Sequence, residues 1–231
     1  MLKLGTQDIS ALYLGETKIK RAYLGETLVF EGSKPSRLPE GYTEVEYVQT
    51  DGNIFINSGL KPAAKMSMVM DVEKTESIPY SAYLFYALSY TTSNGRKTYR
   101  ALRLSFGGSS INGYMGSYTT GYDYTISKDN SLRRMDASFD YNTGRIAVDN
   151  DYYQFGIPSF FPTNNIFLLG DSTASKTKAK LYSCKFKTGD NLIRDFVPCI
   201  NPSGVVGLYD LINGGFIKSG TSTSLTAGPP V

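Results

Sequence analysis

Alternating apolar and polar residues run through most of the chain and predict β-strands. Residues 66–73 and 102–106 both place an apolar side chain at every second position. Strict alternation gives a strand one buried face and one exposed face. From Tyr42 onward, turn-forming residues interrupt this pattern about every ten residues, and no stretch shows helical periodicity beyond two turns. We therefore predict an all-β chain in which residues 42–231 form a two-sheet antiparallel sandwich.

Two hairpins are predicted within this sandwich. Residues 141–144 separate the apolar-polar stretches 132–140 and 145–149, and residues 188–191 separate 181–186 from 192–197. Both loops are rich in Gly, Asn, Asp and Thr, which tolerate the backbone conformations of tight turns.

A repeat with a period of ten residues occupies positions 1–31. It places glycine at positions 5, 15 and 25, and the second and third of these follow Leu14 and Leu24. Because glycine adopts positive φ without strain, Gly5, Gly15 and Gly25 are predicted to lie at the turns of three strand-turn-strand units. Units of this size bury little surface alone. The segment is therefore either a module for oligomerisation or docking, in which these five residues make the contacts, or an appendage packed on the main domain.

Composition sets the domain boundary and argues against catalysis. Residues 32–41 contain two Pro and two Gly without periodicity, which predicts a linker. The chain contains no His, so Ser-His-Asp and Cys-His pairs are excluded and most zinc sites are disfavoured. The net charge of +3 is spread along the chain and gives no indication of nucleic acid binding. No apolar run suggests a signal peptide or a membrane span, so we expect a soluble protein made in a cytoplasm.

Two carboxylate pairs have a spacing that places both acids on one face of a strand. These are Glu44 with Glu46 and Asp136 with Asp140. A retaining glycosidase needs two such acids roughly 5 Å apart. We expect both pairs to be ordinary solvated strand residues, because neither has a third acid beside it. The chain is accordingly predicted not to be an enzyme.

The two cysteines and one acidic loop are the remaining candidates for disulfide or metal chemistry. Cys184 and Cys199 are predicted to be too far apart for a disulfide and to be buried thiols. Asp149 and Asp151 flank Asn150 after a predicted strand, and three oxygen-bearing side chains in one loop can contribute to a Ca²⁺ site. The alternative is a plain polar turn, for which the same residues are typical. No cofactor is required by either interpretation.

Tyrosines supply the candidate ligand site. A sugar has apolar faces and a rim of hydroxyl groups, so aromatic side chains beside polar residues suit it. The alternative is that these tyrosines are half-buried strand residues with no ligand. The candidate residues are Tyr114, Tyr118, Tyr122, Tyr124, Tyr152 and Tyr153.

Two parts of the chain resemble known families. Tyr-Leu-Gly-Glu-Thr-Lys-Ile at 13–19 and Tyr-Leu-Gly-Glu-Thr-Leu-Val-Phe at 23–30 resemble the short N-terminal repeats of bacteriophage tail and tail-fibre proteins. Residues 38–231 resemble the laminin G-like, concanavalin A-like jelly-roll domains of phages and gut bacteria. The segments Leu-Tyr-Ser-Cys-Lys at 181–185 and Arg-Asp-Phe-Val-Pro-Cys at 194–199 are the most specific parts of that resemblance.

These resemblances imply a virion structural protein of the tail-fibre, head-fibre or receptor-binding type. Its lectin-like jelly roll would bind a glycan or protein on the host surface, with calcium possible at a rim loop. Residues 1–31 would bind other virion proteins and form a homo-oligomer, with a trimer as the usual state of fibre proteins. A decoration protein of the capsid or tail without a ligand is the alternative, and a glycan-cleaving enzyme or a bacterial adhesin ranks below both.

Overall fold

The computed structural model describes most of the chain. In the N-terminal segment it describes residues 3–4, 7–8, 12–14, 17–19, 21–24 and 26–31, and beyond it residues 37–76, 82–118, 123–171 and 177–231. The chain divides into two compact units. The first is Met1–Arg37 together with the terminal Val231, and the second is Leu38–Pro230.

The first unit contains three antiparallel two-stranded sheets, which pair β1 with β2, β3 with β4 and β5 with β6. The strands are β1 (Lys3–Leu4), β2 (Gln7–Asp8), β3 (Leu12–Leu14), β4 (Thr17–Ile19), β5 (Arg21–Leu24) and β6 (Thr27–Glu31). Gly5, Gly15 and Gly25 lie outside the described residues, so their predicted turn role stays a prediction. Leu14 lies in β3, and Leu24 in β5 is 77 % exposed.

The second unit is built from strands throughout its described residues. In chain order these are β7 (Thr43–Glu44), β8 (Val48–Gln49), β9 (Ile56–Asn57), β10 (Met66–Lys74), β11 (Ala82–Ser93), β12 (Arg96–Phe106), β13 (Ile111–Tyr118), β14 (Tyr124–Ser127), β15 (Arg134–Asp140), β16 (Arg145–Val148), β17 (Asp151–Gln154), β18 (Phe167–Leu168), β19 (Ala179–Thr188), β20 (Asn191–Ile200), β21 (Val206–Asp210), β22 (Gly215–Ile217) and β23 (Thr226–Ala227). No helix long and apolar enough to cross a membrane is found in the described part of the chain.

These strands form two antiparallel sheets. The larger sheet has the order β17-β16-β15-β10-β19-β20-β21-β22, with β7 beside β20, β8 beside β19 and β23 beside β8. The smaller sheet has the order β14-β13-β12-β11-β18-β9. The inward side chains of both sheets belong to one hydrophobic core, which is the arrangement of a β-sandwich. The prediction of an all-β chain with two antiparallel sheets is confirmed.

The predicted alternation matches the burial of individual strands. In β10, Met66, Met68, Met70 and Val72 are buried, and the residues between them face outward. Residues 141–144 form the turn between β15 and β16, and two residues separate the end of β19 at Thr188 from the start of β20 at Asn191. Both predicted hairpins are therefore confirmed.

A second, smaller core covers part of the outer face of the larger sheet. Leu38 is 7 % exposed and packs with Val197 and Cys199 of β20, and Tyr42 packs against the same group. The sandwich unit thus begins at Leu38, inside the stretch predicted as linker. Cys184 lies in the main core opposite Phe196, whereas Cys199 faces the small core, so the two thiols lie on opposite faces of the sheet. Both are buried and unbridged, as predicted.

Candidate ligand-binding face

The outer face of the smaller sheet is covered by tyrosines, and we call it the tyrosine face. Residues that lie directly opposite each other on neighbouring antiparallel strands point to the same side of a sheet. Three such rows cross β11, β12 and β13. They are Tyr83–Ser105–Asn112, Tyr86–Arg103–Tyr114 and Tyr90–Tyr99–Tyr118.

An irregularity in β11 creates this face. The register with β12 shifts between Tyr83 and Phe85, which leaves Leu84 as an extra residue. In a regular strand Tyr83 and Tyr86 would point to opposite faces, but the bulge places both outward. Their rings stack at 4.4 Å between centroids. The tyrosines of β11 were missed at the sequence level. Tyr83 and Tyr86 are three residues apart, which puts them on opposite faces of a regular strand, whereas Tyr86 and Tyr90 are four apart and share a face in any regular strand.

Arg103 lies at the centre of the tyrosine face and interacts with three of the side chains around it. Its Nε donates a hydrogen bond to Asp123 at 2.6 Å, and another guanidinium nitrogen donates to the Tyr118 hydroxyl at 3.2 Å. The guanidinium also lies 5.9 Å from the ring centroid of Tyr114 and 5.4 Å from that of Tyr118. The charge of Arg103 is therefore already neutralised by Asp123 and is not available to an anionic ligand.

A groove borders the tyrosine face along β11. Because β18 contains only two residues, it pairs only with Phe85 and Tyr86, and among the described residues no other strand lies along that edge of β11. The loop before β18 approaches this edge, where the Thr163 backbone N–H donates to the Ser89 hydroxyl at 3.1 Å. The groove has a volume of about 370 Å³, within the range of small-molecule sites. It is lined by Tyr86, Leu88, Ser89, Tyr90, Thr163, Asn164, Phe167 and Asp171.

The groove combines aromatic and hydrogen-bonding groups. Tyr90 is 55 % exposed, whereas Asp171 is only 4 % exposed. Burial raises the pKa of Tyr86, and the neighbouring Tyr83 and Asp171 raise it further. The Tyr86 phenol therefore stays protonated at neutral pH, and its hydroxyl can both donate and accept hydrogen bonds.

Four of the predicted tyrosines come together on or beside the face. Tyr114 lies 4.8 Å from Tyr118 and 6.3 Å from Tyr124, and Tyr124 lies 4.4 Å from Tyr153, all between ring centroids. Phe155 contacts the rings of Tyr114, Tyr124 and Tyr153. Beside this cluster is a cleft of about 320 Å³ between Tyr114, Tyr124 and the loop 155–160. The cleft is lined by the hydroxyl-bearing Tyr114, Ser117, Tyr124 and Ser159 as well as by apolar residues, but none of its described lining residues has a charged or amide side chain.

The other two predicted tyrosines are not part of this cluster. Tyr152 points outward from the larger sheet, where the Arg145 guanidinium lies 3.7 Å from its ring centroid, and it is 54 % exposed. Tyr152 and Tyr153 are neighbours in a strand and so face opposite sides. Tyr122 lies outside the described residues.

On the outer face of the larger sheet, charged side chains pair with one another. Arg134 forms paired hydrogen bonds to Asp71, and its guanidinium lies 3.6 Å from the ring centroid of Tyr182. Glu73 accepts hydrogen bonds from the Tyr182 hydroxyl and from Lys180. The bond from Tyr182 is the main reason why the pKa of Glu73 lies below its usual value. These charged groups already form ion pairs or hydrogen bonds within the sheet, so they are less available to bind a ligand.

The predicted calcium loop is a hairpin turn between β16 and β17. Asp149 has a φ of 51° and its carboxylate accepts from the Asp136 backbone N–H at 2.8 Å and from Arg133. The Asp151 carboxylate accepts from the Ser127 hydroxyl at 2.6 Å. Within the described residues, no three side chains of the acidic, Cys or His type form a group that could hold a metal ion. Calcium binding by Asp149 and Asp151 stays a prediction, and it would require Asp149 to release Arg133.

The two carboxylate pairs occupy ordinary strand positions. Asp136 lies opposite Asp71 on the outer face of the larger sheet, and Asp140 accepts hydrogen bonds from residues 142 and 143 of its own turn. Glu44 lies opposite Cys199 at the start of the unit, and Glu46 is exposed two residues later. Neither pair lines the groove or the cleft.

Comparisons with known proteins give no family for this chain. No protein-family model matches it, and a search of curated proteins gives no match either. The function is therefore inferred from the tyrosine face and its groove.

Proposed function

We propose that residues 38–230 form a non-catalytic glycan-binding module that takes its ligand in the groove beside the tyrosine face. The observation behind this proposal is the composition of the groove. Tyr86 and Tyr90 offer aromatic surface for the apolar face of a sugar ring, and Asn164 and Asp171 offer acceptors and donors for its hydroxyl groups. A groove that combines aromatic surface with hydrogen-bonding side chains suits the recognition of a sugar.

We further propose that the sandwich is a concanavalin A-like jelly roll displayed by a phage particle for host attachment. This part rests on the resemblance of residues 13–30 and 181–199 to phage proteins. In this proposal residues 1–31 attach the module to the virion, and the exposed Leu24 is a candidate contact. The particle would be assembled in the host cytoplasm, and the module needs no secretion signal to reach a cell surface.

Binding of the full chain to a printed glycan array tests the proposed site, with two variants as a matched pair. Tyr90 and Tyr152 are 55 % and 54 % exposed, and each packs against a cationic side chain. Only Tyr90 lines the groove. Tyr90→Ala removes roughly 60 Å² of apolar contact with a sugar, or ~1.5 kcal/mol at ~25 cal/mol per Å². This corresponds to an affinity about tenfold lower.

Tyr152→Ala is expected to bind like the unmodified chain. If Tyr90→Ala and Tyr152→Ala lowered the affinity equally, the glycan would bind outside the groove and the proposed site would be contradicted. An array without any bound glycan would contradict the binding function and favour the decoration protein.

Light scattering of the full chain tests the anchoring role of residues 1–31. If this segment forms a homo-oligomer through its exposed apolar side chains, Leu24→Glu should lower the mass in solution. Leu132 in the sandwich is 56 % exposed, and Leu132→Glu is the control that should leave the mass unchanged. A full chain that is already a monomer would contradict homo-oligomerisation and direct attention to a different virion partner.

A further inference from the structure

The strands that form the tyrosine face carry an uncompensated positive charge. Residues 77–118 contain Arg96, Lys97, Arg100 and Arg103 and no Asp or Glu. Arg103 is paired with Asp123. The other three cations form no ion pair with any residue that the structure describes. Three cations without an ion pair therefore lie close together on one hairpin.

Folding places Lys97, one of these three cations, beside the groove. The hairpin turns at Asn94 and Gly95, whose φ angles are 50° and 74°. Lys97 is two residues from Tyr99 in the same strand and so shares its face. The Lys97 ammonium nitrogen lies 4.7 Å from the ring centroid of Tyr90, which lines the groove.

Two charged side chains lie near different tyrosines of the groove. Asp171 lines the groove and is close enough to Tyr86 to raise its pKa, whereas Lys97 lies beside the groove and contacts Tyr90. Tyr86 and Tyr90 are four residues apart in β11, a separation of roughly 13 Å along a strand. A buried carboxylate therefore lies toward one end of the groove, and an exposed ammonium group lies beside the other end.

We infer that the groove binds an acidic glycan, with sugar hydroxyl groups near Asp171 and a carboxylate or phosphate substituent at Lys97. This inference rests on the proposed glycan-binding function and names the class of glycan. The anionic group lies at the Lys97 end, because Lys97 is exposed and forms no ion pair, whereas Asp171 is buried and has interactions of its own. Single-stranded nucleic acid also combines stacking with negative charge, but it requires a basic groove along its whole backbone. No Lys or Arg is among the described residues that line the groove, which disfavours that ligand.

Binding of the full chain to matched neutral and acidic polysaccharides tests the inference. Polygalacturonate is compared with its methyl ester, and phosphomannan with neutral mannan. These pairs share a backbone, so they isolate a carboxylate and a phosphate respectively. A printed array of neutral glycans and their acidic counterparts extends the comparison to other backbones. We expect at least one acidic glycan to bind about tenfold more tightly than its neutral counterpart, and its affinity to fall as salt is raised.

Variants of two adjacent residues test whether Lys97 causes the preference for acidic over neutral glycans. Lys97→Gln should reduce the acidic preference to about threefold or less. Arg96→Gln removes an equal charge from the next position, which faces the other side of the hairpin, and should change the affinity less than about twofold. Equal effects of both variants would overturn the role of Lys97.

The remaining outcomes separate this inference from the function on which it rests. Binding of neutral glycans alone, with the Tyr90→Ala loss described above, would overturn the acidic preference and leave the glycan-binding proposal standing. Binding of no glycan, or binding of a single-stranded oligothymidine instead, would overturn both.

Discussion

Replacing Arg103 tests whether the tyrosine face depends on the ion at its centre. The Arg103 side chain is only 12 % exposed and lies among Asp123, Tyr114 and Tyr118. Arg103→Gln keeps a polar side chain of moderate length but removes the charge and the planar fork of donors. The Asp123 carboxylate is 36 % exposed, so water can solvate it once its partner is lost.

The expected loss of stability follows from these contacts. Each of the two cation–π contacts contributes ~0.5–1 kcal/mol. The ion pair with a partly exposed carboxylate contributes at most ~1 kcal/mol after solvent screening. The free energy of unfolding should therefore fall by about 2 kcal/mol.

Urea unfolding of the full chain, followed by near-ultraviolet circular dichroism, measures this loss. The signal comes from the 18 tyrosines, since the chain contains no Trp. Arg100→Gln is the control, because Arg100 lies in the same strand and only contacts the exposed ring of Phe160 at 4.9 Å. It should cost less than ~1 kcal/mol. The reasoning is refuted if Arg103→Gln costs no more than Arg100→Gln, or if adding Asp123→Asn to it causes a further loss as large as the first.

Two further predictions concern the larger sheet and are tested by the same unfolding measurement. A Cβ at Gly207 would lie 2.3 Å from a backbone oxygen of the next strand, whereas a Cβ at Gly215 of that strand would meet nothing within 4 Å. Gly207→Ala should cost ~1–3 kcal/mol and Gly215→Ala less than ~0.5 kcal/mol, and equal costs would contradict the packing described here. Burial, followed by the charges of Asp71 and Asp149, raises the pKa of Asp136, so its ionised form destabilises the fold. Because Asp136 is exposed and water screens these interactions, Asp136→Asn should stabilise the protein by at most ~0.5 kcal/mol at pH 7, and this gain should disappear as the pH falls below ~4, where the unfolded carboxyl is protonated as well. A gain that persists at low pH would show that charge is not its cause.

The architecture was predictable because period-two patterning has a direct physical cause. The buried positions of β10 alternate as the sequence predicts, and the loops at 141–144 and 188–191 contain residues that tolerate turns. The apolar-polar pattern does not predict the order of the strands across each sheet. The central position of β10 between β15 and β19 joins residues about 50 to 120 positions apart in the chain, and no local signal specifies such pairings.

The candidate site was only partly predictable. Tyr114 and Tyr118 were identified from their polar, Gly-rich surroundings and do lie on the tyrosine face. Tyr86 and Tyr90 were not identified, although their spacing of four residues already places them on one face of a strand. Only the position of Tyr83 beside them depends on the bulge at Leu84. Asp171 and Asn164 come from a loop that contacts β11 through tertiary packing, and their own sequence context does not indicate a ligand.

The groove results from two departures from regular sheet geometry. A regular β11 would send Tyr83 into the core or would turn its apolar neighbours outward, so the bulge is what allows two adjacent tyrosines to share the outer face. A longer β18 would pair with β11 beyond Tyr86 and would fill the space in which the groove lies. Bulges and shortened strands weaken a sheet, since each leaves backbone groups without ladder partners. Both irregularities lie beside the aromatic wall, where the glycan-binding proposal places its ligand.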